Sequence, residues 1–393
     1  MAPLPDNAPL GIYLHVPFCT HICPYCDFNT YAGKSDLIPR YVEAMARDLG
    51  IEADRLGRRP VTSIFFGGGT PSLLAPDHVQ RLLGVIGDRF DLGPDVEASL
   101  EANPNGLTRD YLADLRSAGI NRLSIGLQTT DRRGLRRLGR MHEAADAEQA
   151  VIAAVASGFQ RLSLDLIFGW PGQTLDSWRN DLETVTSWAG GAVSHLSLYS
   201  LIVEPGTPMA DAVQRGVVSV LDDDATADLY ELAMEFLGAK GWLHYEVANW
   251  ARSEGQESVH NRIYWRNGEY LGIGAGAHGR IGNRRVMRHL LPMTYITAIG
   301  AGDSAESNGE ELTDEVQRGE TMMLGLRLLR EGVTDVDFTR RHGRTLNEAF
   351  GPTIARFQTQ GLLDRDDRGV RLTHRGLLLA NDVCAAFLGG RYS

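Results

Sequence analysis

Cysteine is scarce, with four in 393 residues, and the opening "MAPLPDNAPLG" has no basic region followed by an apolar one. The expectation is therefore a reducing, cytoplasmic setting, which excludes a disulfide framework. No run approaches the ~18 apolar residues of a membrane-spanning helix, so nothing is expected to cross a bilayer. Basic residues are outnumbered 39 to 50, a net charge of −11, which argues against sequence-independent attachment to nucleic acid. Internal repeats and low-complexity segments are also missing. What remains is an ordinary globular composition, 43% hydrophobic and 23% charged. The chain is longer than the roughly 250–300 residues at which single cores stop growing, which predicts a main domain with appendages.

Short β-rich runs recur at "GIYLHV" (from Gly11), "VTSIFF" (from Val61), "VEASLE" (from Val96), "RLSIGL" (from Arg122), "RLSLDLIF" (from Arg161) and "HLSLYS" (from His195). Helix-like segments such as "YVEAMARDLGIEADRL" and "SWRNDLETVTSW" lie between them. Six such alternations are the pattern of parallel βαβ units, closed into a partial (βα)6 barrel or left as an open doubly wound sheet. The barrel is favoured because polar residues fall at successive strand ends: the cysteine loop, "FGGGTP", Glu101, Gln128 and Tyr199. The α/β core is assigned to 1–205 and a barrel extension to 206–310, with a polar, acidic linker at 304–312. A helical, winged-helix-like domain fills 311–393. That domain has no Lys/Arg cluster to mark a recognition helix, so it reads as a packing or docking unit, not a nucleic-acid binder.

The chemistry centres on "CTHICPYC", which places Cys19, Cys23 and Cys26 within eight residues after the first strand. Three thiolates could fill three tetrahedral zinc positions, with His15 or His21 as the fourth ligand. Zinc sites, however, draw on two separated ligand pairs, and there is no second cysteine pair. A four-iron cubane held by three thiolates leaves one iron open to nitrogen and oxygen ligands. Cys384, in an apolar helix near the end, reads as a buried core thiol. The second feature, "FFGGGTP" at 65–71, lets backbone approach a ligand without Cβ obstruction, and its N–H and C=O groups can grip an ammonium and a carboxylate. Asp165, inside an apolar strand, needs a partner such as Arg140 or a ligand hydroxyl.

"CTHICPYC" resembles the CxxxCxxC signature of the radical S-adenosylmethionine (SAM) superfamily, in which the open iron of a [4Fe–4S] cluster chelates SAM. "YLHVPFC", "GGGTP", "EANP", "RLSIGLQT", "LGRMH", "DLIFGWPGQT" and "LTHRGLLLANDV" extend the resemblance to the oxygen-independent coproporphyrinogen III oxidase group. It implies that Tyr13, Tyr25, Gly68, Gly69, Thr70, Glu101, Gln128, Arg140 and Asp165 line the SAM site. Thr70 stands where an acidic residue is usual in the SAM-binding GGE-type motif.

Within that group the oxidase carries a further cysteine two residues after CxxC, where this chain has Phe28, and a long segment ahead of the cluster, where this chain has 18 residues. "CDF" and "HNRIYW" resemble instead the HemW-type haem chaperones, whose HNxxYW pattern falls on His260, Tyr264 and Trp265. The resemblance implies haem as a third cofactor. His260 then offers an axial nitrogen while Tyr264 and Trp265 stack on the porphyrin; packing of all three in a core is the plainer alternative. Recipient haemoproteins, membrane-bound respiratory cytochromes among them, would be the partners, met by a cytoplasmic protein at the membrane surface. A homodimer stays open, and no catalytic residue is assigned. The enzyme alternatives are coproporphyrinogen III dehydrogenation and methyl transfer by a HemN-like radical SAM protein.

Overall fold

The structure, a computed structural model, describes residues 9–389. Six parallel strands stand side by side in chain order: β1 (Leu10–Val16), β2 (Pro60–Gly68), β3 (Asp91–Ala102), β4 (Arg122–Gln128), β5 (Arg161–Phe168) and β6 (His195–Ser200). Helices connect them, among them Ile38–Leu56, Pro76–Arg89, Arg109–Ala118, Ala144–Ala156 and Leu175–Gly191. These are the βα units of a partial barrel.

Successive side chains of a strand point to opposite faces, and the sequence uses the two faces differently. Leu10, Ile12, Leu14 and Val16 of β1, Leu123, Ile125 and Leu127 of β4, and Leu162, Leu164 and Leu166 of β5 are buried in the main core with residues of the covering helices. The intervening positions carry polar or small groups. Ser63 pairs in register with Glu97, Arg122 with Arg161, Ser124 with Ser163, and Asp165 with Ser197. The barrel therefore has an apolar outside packed on helices and a polar inside.

The segment after β6 extends this sheet at both edges. β7 (Leu243–Glu246) and β8 (Asn249–Ala251) follow β6, while β9 (Glu269–Ile273) pairs parallel with β1 and leads to β10 (His278–Ile281), β11 (Arg284–Arg288) and β12 (Glu306–Glu311). The acidic stretch expected to be a linker is thus β12, the last strand of the sheet. Its carboxylates face a strand of arginines: Arg284 reaches Glu306 at 2.7 Å and Arg285 reaches Glu310 at 2.7 Å. Cross-strand opposite charges make an edge strand of a segment that is polar by composition.

The lower end of the barrel is closed by the helix Val259–Trp265. Glu97, with no exposed surface, accepts hydrogen bonds from the backbone N–H groups of Val259 (3.2 Å) and His260 (3.1 Å). It also pairs with Arg161 at 2.7 Å and lies 3.8 Å from Arg122. At the other end of this helix, Asn267 is held in the left-handed region (φ 52°). Its carbonyl accepts from Arg280 at 2.5 Å and from Arg341 of the C-terminal domain, and its side-chain amide donates to Thr321 at 3.0 Å.

The C-terminal domain has its own core around Met322, Leu326, Phe338, Ile354, Phe357, Val370 and Val383. Three helices, Asp314–Gly325, Asp335–His342 and Leu346–Thr359, pack with a small sheet of β13 (Val333–Thr334), β15 (Gly369–Leu372) and β14 (Leu363–Arg365), a winged-helix-like arrangement. Cys384 is buried in this core.

Replacing Glu97 by Ala would leave Arg122 and two helix N–H groups buried without their carboxylate. The expected loss is about 3–5 kcal/mol, seen as a lower urea midpoint by circular dichroism. A midpoint unchanged from wild type would mean that the carboxylate does not hold the lower end together.

Candidate functional site

At the opposite, C-terminal end of the strands the cysteine loop leaves β1 and returns through a two-residue parallel pairing of Phe18–Cys19 with Tyr31–Ala32. The loop is built against the glycine turn after β2. Thr70 N–H donates to Phe18 O at 2.8 Å and Gly69 N–H to Val16 O at 2.9 Å. A Cβ on Gly69 would lie 2.7 Å from Phe18 O and 3.0 Å from Cys19 Sγ, so only glycine fits there. From the other side, Gly139 (φ 64°) lies under Pro24, where a Cβ would come within 2.4 Å of the ring, and its carbonyl oxygen accepts from His21 Nε2 at 2.7 Å.

Each of two sulfurs has a donor. Thr70 Oγ1–H points at Cys19 Sγ at 3.5 Å, and Arg140 Nη1 lies 3.6 Å from Cys23 Sγ. Burial pushes the Cys19 and Cys26 thiols above their ordinary range, with the Thr70 hydroxyl opposing this at Cys19. Metal binding would deprotonate them. Among the described residues no three His, Cys, Asp or Glu side chains stand close enough to hold one metal ion; thiolates serving separate corners of a cubane need not approach so closely. His15, one of the two histidines considered as a fourth ligand, has both ring nitrogens engaged, Nδ1 by Tyr13 OH (2.9 Å) and Nε2 by Asn29 O (3.0 Å).

Beside the thiols, Arg140 Nη2 donates to Asn103 Oδ1 (2.5 Å) and Gly126 O (2.8 Å), and Asn103 Nδ2 donates to Thr70 Oγ1 (3.3 Å). Arg140 therefore does not pair with Asp165, as the sequence had suggested. The Asp165 carboxylate instead accepts from Ser124 Oγ at 3.0 Å, because Ser124 lies diagonally across from it on the inner face, next to its register partner Gly126. Glu101 accepts from Gly68 N–H at 3.1 Å. Burial, and secondarily the charge of Asp165, push Glu101 from its ordinary 4.5 up to about 8, against the pull of that N–H. Gln128 ends β4 with φ 74°, a left-handed conformation unusual for its type. Tyr25 packs with Leu138, Ile167 and Trp170.

Thus Cys19, Cys23, Cys26, Gly68, Gly69, Thr70, Glu101 and Arg140 are linked through direct contacts and through Asn103, with Gln128 at the end of β4 and Asp165 within β5. Tyr13 lies beneath them. His260, Tyr264 and Trp265 are elsewhere. His260 has no exposed surface; Ser63 Oγ bonds Nδ1 at 2.7 Å and Tyr264 OH bonds Nε2 at 2.8 Å. Burial lowers its pKa to about 3. Trp265 packs under the guanidinium of Arg327 (4.2 Å) from the C-terminal domain. Sequence reasoning missed Asn103, Gly139, Ser124 and Asn29, the last of which ties the loop to Ala275 O and Leu290 O at 3.0 Å each. Asn103, Ser124 and Gly139 each sat inside a quoted motif, "EANP", "RLSIGLQT" and "LGRMH", whereas Asn29 carried no local signal.

A cysteine triad at the mouth of a partial barrel, braced by a GGGT turn, defines a radical SAM protein. Residues 13–185 match the radical SAM superfamily and 312–379 match the HemN C-terminal domain. The chain belongs to the HemW family within that superfamily: it is 38% identical over 378 residues to the heme chaperone HemW of Bacillus subtilis, covering 96% of this chain and 98% of that one. The Escherichia coli heme chaperone HemW is 35% identical over 385 residues, covering 97% and 98%. A mitochondrial radical S-adenosyl methionine domain-containing protein 1 from Bos taurus is 36% identical over 409 residues, covering 98% and 89%. Among solved structures, the Escherichia coli coproporphyrinogen III oxidase HemN shares the fold, with a TM-score of 0.83 and 23% identity over 98% of this chain and 91% of that one.

Superfamily membership implies a [4Fe–4S] cluster and SAM, and the residues fit both. The three thiols share one loop with two sulfur-directed donors, and the Cβ-free approach of Gly69 to Cys19 leaves room for nothing larger.

Two outcomes are expected. Gly69→Ala should sharply reduce the iron retained after anaerobic reconstitution, measured against wild type; full iron content would show that the turn can yield. In the cluster-free protein Glu101 is protonated folded and ionised unfolded between pH 4.5 and about 8, so unfolding releases a proton and stability falls as pH rises through that window. Glu101→Gln should flatten the slope of melting temperature against pH there, and an unaltered slope would contradict the raised pKa.

Proposed function

We propose that the protein is a haem chaperone that binds haem and passes it to recipient haemoproteins, membrane-bound respiratory cytochromes being the class in view. The observation that carries this is kinship along nearly the whole chain with proteins named heme chaperone HemW; likeness to HemN speaks to the fold alone. No helix among the described residues is long and apolar enough to cross a membrane.

In this reading Cys19, Cys23 and Cys26 hold the [4Fe–4S] cluster, which when bound supplies one open iron. Gly68, Gly69 and Thr70 offer backbone and hydroxyl groups to SAM. Glu101, Gln128 and Asp165 bring polar contacts from the strands and Arg140 from the loop after the helix Arg132–Arg137, Tyr25 brings an apolar wall and Tyr13 supports the turn from below. Arg140 and Thr70 also steady the sulfurs through N–H and O–H donation, which holds negative charge on the cluster side of the site.

The haem contacts proposed for His260, Tyr264 and Trp265 carry a condition. Iron can reach His260 Nε2 only after the Tyr264 phenol has left it, and Trp265 must then turn from Arg327. A haem titration of the anaerobically reconstituted protein, followed by visible absorption, tests the reading. Wild type should bind haem saturably, His260→Ala should lose it, and Tyr264→Phe, which removes the competing phenol oxygen, should bind at least as tightly. Binding unchanged in His260→Ala would move the ligand elsewhere. No binding by wild type, with conversion of coproporphyrinogen III in the presence of SAM and reductant, would replace the chaperone by an enzyme.

A further inference from the structure

We propose that His260 is a positioning residue for the glycine turn: it is the floor of a column of rings, His260, Phe65, Tyr13 and His15, on which the backbone of Gly67 and Gly68 rests. This role needs no haem and goes beyond the chaperone reading.

The column is continuous but not single file, because its lower three rings form a triangle in which Tyr13 also meets His260 directly, at 6.3 Å and 31°. The His260 and Phe65 rings stack at 5.0 Å with planes 22° apart, and Phe65 and Tyr13 stack at 6.2 Å and 23°. Tyr13 and His15 follow at 5.8 Å, joined by the 2.9 Å hydrogen bond between the phenol and Nδ1. The two glycines lie flush on its upper end. A Cβ at Gly67 would sit 2.8 Å from Phe65 Cε1 and 2.9 Å from Tyr13 Cε2, and one at Gly68 would sit 2.5 Å from His15 Cε1. Real Cβ contacts are not that short, so the backbone takes its height from the rings. Gly68 then aims its N–H at Glu101 Oε2, 3.1 Å away, and its neighbours Gly69 and Thr70 touch the cysteine loop. A displacement at the base of the column therefore reaches the groups that face the proposed SAM site.

The floor itself cannot drift. Ser63 and Tyr264 hold the two ring nitrogens, and the backbone N–H is held by Glu97. In a neutral imidazole one nitrogen donates and the other accepts, so the pair of hydroxyl partners fixes the plane of the ring. The neighbouring strand is close: a Cβ on Gly11 would press on Ile263 Cδ1 at 3.1 Å and reach ordinary contact with His260 Cε1 at 3.5 Å. A histidine serving only to fill the core would need none of this alignment with the turn above it.

The test uses the full chain with its cluster reconstituted anaerobically and reduced, SAM as the titrant, and the change in the cluster's electron paramagnetic resonance spectrum as the readout. His260→Ala opens a space beneath Phe65, and SAM binding should weaken about tenfold while iron content stays at the wild-type level, since small misplacements at a distance are costly. His260→Phe restores a ring under Phe65 and should recover most of the affinity. Tyr13→Phe removes only the tie to His15 and should weaken binding less. The double variant His260→Ala with Tyr13→Phe should lose less than the product of the two single losses, because both act through one column. SAM affinity within about twofold of wild type in His260→Ala, or losses that multiply in the double variant, would overturn the proposal. If His260→Ala does not keep its cluster, His260→Phe decides: affinity near wild type supports the column, and a tenfold loss overturns it.

Discussion

Glu97 is a carboxylate with no exposed surface in the lower end of a barrel, and such a charge survives burial only when other groups answer it. Arg122 answers it from the neighbouring strand and Arg161 from the strand beyond, and two N–H groups answer it from the start of the helix Val259–Trp265. Its consequences run upward. The helix is fixed where it enters the barrel, so His260 is fixed, and the rings above it meet the glycine turn that braces the cysteine loop. The interior that makes this possible is polar by design of the alternation: serines, Asp165 and Glu101 share the inside face while leucines and isoleucines take the outside.

The site at the upper end follows one principle, which is close approach without side chains in the way. Gly67, Gly68, Gly69 and Gly139 each stand where a Cβ would strike a ring, a carbonyl oxygen, a sulfur or a proline. Backbone can then pack directly on the loop that carries the thiols. The polar side chains around it are few and mutually engaged, Arg140 with Asn103, Asn103 with Thr70, and Thr70 with Cys19.

Much of this was legible in the sequence because it is local. Strand periodicity, the cysteine spacing and the glycine run each show in consecutive residues, and they placed the barrel, the cluster loop and the turn. What escaped depends on register. Asp165 was given Arg140 or a ligand hydroxyl as a partner, whereas a serine diagonally across the sheet reaches its carboxylate and Arg140 is drawn to Asn103 and a sulfur. The acidic segment 304–312 looked like a linker because its composition is polar, and only the arginines of β11 opposite it make it a strand. The enclosure of His260 is equally invisible in "HNRIYW", since Ser63 and Glu97 lie more than 160 residues away.

The clamp on Asn267 has a consequence for how the molecule comes apart. Arg341 belongs to the C-terminal domain, yet its guanidinium holds the carbonyl that ends the helix closing the barrel, alongside Arg280 of the sheet. Breathing of the C-terminal domain therefore removes one of the two guanidinium groups on that carbonyl and leaves the helix end to Arg280 alone. The helix thus belongs to both cores, tied to the large sheet through Glu97 and Arg280 and to the small domain through Arg341.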